Sequence, residues 1–436
     1  MAPGHRAETV REVQFLPVGR PCEAAGVARY LNILRRRVAL LPFLAAVVAR
    51  LPVAMGPLGI VILVQQVRGS YSSAGLVTAA FALGSSVATP VWGGLMDRHG
   101  QSVVIGPVSL ISAGLLAALA EAAVHGAPDQ VLVALSAGVG LTFPPISPAM
   151  RGAWRSILPD EADRLAAYAL DAVAIETIFV GGPLLLSLML VFAPPVVPLL
   201  VTAALLASGG AGYAASGAAR RWTPEPHADG AGRRGRSPLR SPGVLLVLGV
   251  TVAMAVGFGL ADVGIAAVAR VVLGDQAKVG MLFAAVAGGS VIGGLWYGSR
   301  AWVRAEHTRL PVTQAGYAIG LACVGVVLDR SISTPWGRLP VLLPILFGSG
   351  LCIAPGLIMV ANLIDQHGPR DRLSEAQSWL NTSFSSGGAL GSALAGLLVD
   401  AGGPGRAFVG ASGAVVVSTL LALWAAWLWR TPLTRR

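Results

Sequence analysis

The chain has 436 residues, 54% hydrophobic and 12% charged, with a net charge of +11. An average soluble domain is about 25% charged, so a water-facing protein is a poor fit, and the mean hydropathy of +0.69 excludes a disordered chain. One membrane-crossing helix uses about 20 apolar residues, and the supply here fills about a dozen; the long unbroken runs make a β-barrel, whose strands alternate, a poor fit.

Residues 1–37 are polar and arginine-bearing and read as a tail, with no cleavable signal peptide. Six apolar runs follow at 38–67, 73–96, 102–124, 129–150, 164–190 and 194–217. A segment rich in Arg, Pro and Gly at 218–241 reads as a flexible linker. Six more runs lie at 242–269, 278–299, 310–328, 338–362, 372–399 and 404–430, before a short tail at 431–436. The spacing predicts two six-helix bundles, 38–217 and 242–430, in an all-α polytopic membrane protein.

With both termini inside, 25 of the 32 basic residues fall on the inner side and six on the outer, leaving Arg50 within a span. Basic residues concentrate on the cytoplasmic side of membrane proteins. The positive charge is thereby explained by topology, and no nucleic-acid partner is expected. The three cysteines are far apart and the six histidines show no ligand spacing, so neither a metal nor a cofactor is expected. No phosphate-binding loop is present, which argues against an ATP-driven pump.

The halves echo each other. Gly93-Gly94-Leu95 matches Gly293-Gly294-Leu295, and Gly138-x-Gly140-Leu141 matches Gly348-x-Gly350-Leu351, each followed by Pro145 or Pro355. Arg164-Leu165 and Arg372-Leu373 open the fifth and eleventh runs. Each match joins runs six apart, the pattern of a duplicated six-helix unit with a site between its copies.

Ionisable residues inside spans cost several kcal/mol when unpaired, and mark a pathway, a proton relay or a buried pair. Four stand out. Arg50 is in the first run, Asp171 and Glu176 in the fifth, and Asp262 in the seventh. Asp262 reads as a proton site, an outer gate residue or an interfacial charge near Arg270. Glu121, Asp365 and Glu375 sit at run ends, where solvation is the simpler reading. The eleventh run carries Trp379 and Asn381, polar residues and three glycines, which suit either cavity lining or close helix contact. Trp424, Trp427 and Trp429 form an interface belt.

The loop after the second run reads Gly93-Gly94-Leu95-Met96-Asp97-Arg98-His99-Gly100. Twelve spans, a long central loop and this G-x-x-x-D-R-x-G sequence resemble the major facilitator superfamily. Gln101 and Ser102 stand where that family usually carries a basic pair. The resemblance implies a secondary transporter with two pseudo-symmetric six-helix bundles rather than an enzyme. It implies that Asp97 meets the start of span 11 and basic residues closing span 4, here Arg151 and Arg155, as a cytoplasmic gate. Gly100 permits the tight turn such a loop needs. It implies that spans 1 and 5 are neighbours, so that Arg50 pairs with a carboxylate there, with Glu176 at equal depth ahead of Asp171. The front of the family's antiporter signature is present in span 5 at Gly182-Pro183.

Together these readings point to proton-coupled export of a small molecule by a monomer in a bacterial plasma membrane, both termini cytoplasmic. Asp171, Glu176 and Asp262 are the candidate proton carriers. The alternatives are a proton-coupled importer of a sugar or metabolite, and a membrane receptor or assembly partner without flux.

Overall fold

The computed structural model describes residues 32–222, 237–298, 302, 304–329, 335–369 and 373–430. The side chains of Asp97 and Glu176 fall outside the described residues, as do the linker from 223 to 236 and both tails. Among the described residues, twelve helices are long and apolar enough to cross a membrane. Spans 1 to 6 are Arg37–Arg68, Tyr71–Met96, Gln101–Val124, Asp129–Ile157, Ala166–Phe192 and Val196–Ala215. Spans 7 to 12 are Pro242–Val272, Gln276–Gly298, Glu306–Asp329, Leu339–His367, Ala376–Gly402 and Pro404–Trp429.

These segments are helical because a helix satisfies every backbone donor and acceptor internally where no water is available. Their ends are set by local chemistry. Gly69 takes φ 70°, and the next residue, Ser70, accepts from the Ser73 amide, so span 1 turns into span 2 within two residues. Gly100 takes φ 90° between spans 2 and 3, a conformation that costs a side-chain-bearing residue strain. The helix carrying span 5 starts at Glu161, one turn before the sequence expectation of 164, because Asp160 caps it through the Asp163 amide. Spans 4 and 10 run beyond their expected ends, to Ile157 and His367.

Three apolar cores hold the spans together. One core contains residues of both halves, from Met55 to Val415, and lies toward the end of the bundle where span 1 finishes. The other two lie at the opposite end, the linker side. There Ile33, Phe43, Ile105, Trp154 and Tyr213 pack within the first half alone. Val244, Met254, Leu310 and Leu363 pack within the second half alone. The two halves therefore share one core at the far side and keep separate cores on the linker side. Among the described residues no apolar core bridges the halves on the linker side.

Candidate functional site

Spans 4 and 10 are each broken in the middle of the membrane. Span 4 consists of helices Asp129–Leu141 and Ile146–Ile157, and span 10 of helices Pro335–Gly350 and Ile353–His367. Pro144 and Pro145 lack the amide that would continue the first of these, and proline disfavours helix in the residue before it. The freed groups find local partners. Thr142 and Phe143 donate to Gly138 O and Gly140 O at 3.0 Å each, and Trp92 Nε1 donates to Leu141 O at 2.8 Å. Leu351 and Cys352 likewise donate to Phe347 O and Ser349 O at 3.2 Å.

The repeated glycines seat these breaks. A Cβ on Gly140 would strike the backbone of Phe81 and Ser85 in span 2, and one on Gly350 the backbone of Val286 and Gly289 in span 8. The breaks and their glycine contacts occupy corresponding places in the two halves. Interrupted helices at matching positions of a repeat are where transporters place their central sites.

Arg50 is 3% exposed, with Nη1 2.6 Å from Oδ1 of Asp171, itself 3% exposed. A second contact, Nη2 to Oδ2, is 3.5 Å. The described partner of Arg50 is Asp171, which corrects the sequence expectation that Glu176 comes first. Asp171 and Glu176 are five residues apart, so their bearings differ by about 140° around the helix, and the bearing of Asp171 is the one that faces Arg50 of span 1. The side chain of Glu176 lies outside the described residues.

The gate residues are placed as follows. Gly93 and Asp97 are in the last turns of the helix that ends at His99, and Arg98 is exposed. Arg151 and Arg155 are exposed on the second helix of span 4 and make no hydrogen bond or ion pair among the described residues. The Asp97 side chain and residues 370–372, just before the helix carrying span 11, lie outside the described residues, so the expected Asp97 contact does too. Gln101 and Ser102, the positions of the missing basic pair, bind inward. Gln101 donates to Ala149 O at 3.0 Å and accepts from Tyr213 Oη at 2.9 Å, and Ser102 donates to Ala214 O at 2.7 Å. They tie span 3 to spans 4 and 6 within the first half.

The far side is closed by a contact absent from the sequence reading. Asp400, at the end of span 11, accepts from the amides of Tyr71 and Ser72 and from Ser70 Oγ at 2.8, 2.7 and 2.8 Å. The carboxylate thus caps the first turn of span 2 across the two halves, where the helix dipole favours an anion. Two glycine contacts seal the same pair of helices. A Cβ on Gly75 would meet Ser392 O, and one on Gly396 would meet Tyr71 O. Spans 5 and 8 close similarly: a Cβ on Gly280 would meet Ser187 and the Pro183 carbonyl, while Gly182 lies against Ala54 and Met55 of span 1. The Gly182-Pro183 signature therefore sits where the halves join. Asp400 carried no signal in the sequence, because an acid at the end of an apolar run reads as a solvated boundary charge.

Asp262 has a different environment. It is exposed, although Leu260, Ala261 and Val263 beside it are 2%, 4% and 1% exposed. It makes no hydrogen bond or ion pair among the described residues, and Arg270 is no partner to it. One turn below, the Phe258 ring centroid lies 5.2 Å from that of Tyr317 and 5.7 Å from that of Phe384. Tyr317 in turn lies within electrostatic reach of Asp262 and of Cys352, which occupies the break in span 10. On span 11, Asn381 is exposed and shares its bearing, to about 20°, with Ser392, which faces span 2. Trp379, 38% exposed, points about 160° away from Asn381, so the two do not line one cavity. No group of three or more His, Cys, Asp or Glu that would hold a metal ion occurs among the described residues.

Two bundles of six spans, joined at one end and carrying interrupted helices at matching places, have the architecture of a membrane transporter rather than an enzyme. A model of the Major Facilitator Superfamily matches residues 40–368. The chain belongs to that superfamily and is a multi-pass membrane protein. A bacterial homologue of the iron transporter ferroportin, in an inward-facing state, is similar at TM-score 0.68 and 12% identity, over 92% of this chain and 99% of that one. The nucleoside transporter NupG is similar at TM-score 0.62 and 11% identity, over 92% of this chain and 100% of that one. A bacterial homologue of the human lysosomal transporter Spinster is similar at TM-score 0.61 and 16% identity, over 90% and 95%. At these identities the likeness is one of fold. No curated protein sequence matches the chain.

Proposed function

We propose that this transporter exports a small amphipathic molecule in exchange for protons, by alternating access. The observation that carries the reading is Asp262. It is a carboxylate inside a span, exposed and without a hydrogen-bond or ion-pair partner among the described residues. Such a group is costly in hydrocarbon unless it works in a pathway, and it can take a proton from one side and release it to the other. Asp171 is neutralised by Arg50 and is assigned to holding spans 1 and 5 together; Glu176 is the second coupling candidate. Gly182-Pro183 at the junction of the halves supports export over import.

The basic residues support a linker side in the cytoplasm of a bacterial plasma membrane, with the protein acting as a monomer. The conformation described is then the one open to the cytoplasm. Closure on that side would bring Asp97 toward the start of span 11 and Arg151 or Arg155, a contact worth about 1–2 kcal/mol. The test is reconstitution in liposomes under an imposed pH gradient, with a panel of labelled small molecules. Flux should run from the linker side to the far side against protons. Asp262→Asn should abolish gradient-driven flux, and Asp97→Asn should slow it without weakening substrate binding. Flux in the same direction as protons overturns the reading.

A further inference from the structure

We propose that Asp262, with Phe258, Tyr317 and Phe384, forms a subsite for the charged centre of an amphipathic organic cation. The inference rests on the transporter reading above and names the substrate class of that transporter.

The bearing of Asp262 on span 7 is fixed by its neighbours. Gly257 and Gly264 pack against Ala411, Val415 and Phe408 of span 12, Gly259 packs against Gly388 of span 11, and Phe258 meets Tyr317 of span 9 and Phe384 of span 11. At 100° per residue, Asp262 points about 140–160° away from span 12 and lies between the bearings of Phe258 and Gly259. It is therefore turned into the bundle rather than toward lipid, and its exposure is to the space between the helices there. Phe384 is 37% exposed on span 11, so an aromatic wall is open to the same space.

The charge at this point is not cancelled among the described residues. Arg50 is taken by Asp171. Arg270 is eight residues further along span 7, about 12 Å toward the far side. An unpaired carboxylate at membrane depth gains most from a ligand that brings a positive charge. Rings whose faces carry negative potential add to that attraction, and favour cations with weak hydration shells. A divalent metal ion instead requires several oxygen, nitrogen or sulfur ligands, and no such group is present among the described residues. One carboxylate with a cluster of three aromatic rings a turn below it fits an organic ammonium or phosphonium with apolar substituents.

The test uses the full chain, purified and placed in lipid nanodiscs, titrated calorimetrically with tetraphenylphosphonium and with tetraphenylborate. The two probes share a shape and differ in the sign of their charge. Wild type should bind the phosphonium at least tenfold more tightly than the borate. Asp262→Asn should weaken phosphonium binding at least tenfold, Asp262→Glu should retain most of it, and Phe258→Leu should weaken it several-fold. Thermal unfolding of each variant checks that it is folded. If Asp262→Asn does not fold, Phe258→Leu and Phe384→Leu carry the test. Equal binding of the two probes, no phosphonium binding by wild type, or unchanged affinity in the folded variants overturns the subsite. A chain that binds the phosphonium as described but moves neither solute nor protons keeps the subsite and loses the exporter reading. A chain that exports only neutral or anionic solutes does the reverse.

Discussion

Arg50 and Asp171 show how burial changes the worth of a charge. Each would be prohibitively costly alone at 3% exposure, and their mutual contact at 2.6 Å offsets that cost without making the pair strongly stabilising. The damage comes from leaving one behind. Arg50→Ala should cost about 3–5 kcal/mol, because Asp171 is then a buried orphan. Arg50→Ala with Asp171→Ala should recover most of that loss, whereas Arg50→Ala with Glu176→Ala should not. Thermal unfolding of the purified variants reads this directly, and equal rescue by both partners would refute the pairing. The existence of a pair was legible from the sequence, since an arginine in a span demands an anion. Its identity was not, because the rotation of span 5 about its axis, which decides which of two carboxylates some 140° apart faces span 1, is set by packing rather than by spacing.

The contacts between elements rest on glycines whose neighbours are backbone atoms. A methyl group on Gly396 has nowhere to go but into the Tyr71 carbonyl, and overpacking of this kind costs about 1–3 kcal/mol. Gly396→Ala should therefore push spans 2 and 11 apart on the far side and shift the population toward the conformation open there. Spin labels at His125 and Asp329, both exposed, would report the change as a longer far-side distance. An unchanged distance would show that the glycine contact does not control closure. At this scale the sequence was partly readable. Length and hydropathy placed all twelve spans, and the paired Gly-x-Gly-Leu sequences marked the repeat. The breaks that follow them were not foreseen, because an apolar run with a proline reads the same whether its helix bends or stops. The far-side capping of span 2 by Asp400 was equally silent, since its donors are backbone amides that every residue carries.

For the whole molecule, the distribution of cores matters more than their size. Among the described residues a single core joins the halves, at one end, and each half has its own packing on the linker side, the arrangement that rocking of one half against the other requires. The topology that gives this motion a direction is testable by itself. Reporter fusions at residue 230 and at the C-terminus should both report cytoplasm, and a signal from the other compartment in either would reverse the direction of opening. The latch at the closed end has a consequence for the protein's genetics. On one half it is a single side chain, Asp400; on the other it is chiefly the amide skeleton of residues 71 and 72. No charge reversal can restore a lost Asp400, because its partners among the described residues are amides and a hydroxyl, with no base to swap. Most replacements of Tyr71 or Ser72 leave the amides in place, and only an imino acid removes them. Heritable change in this lock is thus confined almost wholly to one codon of the second half.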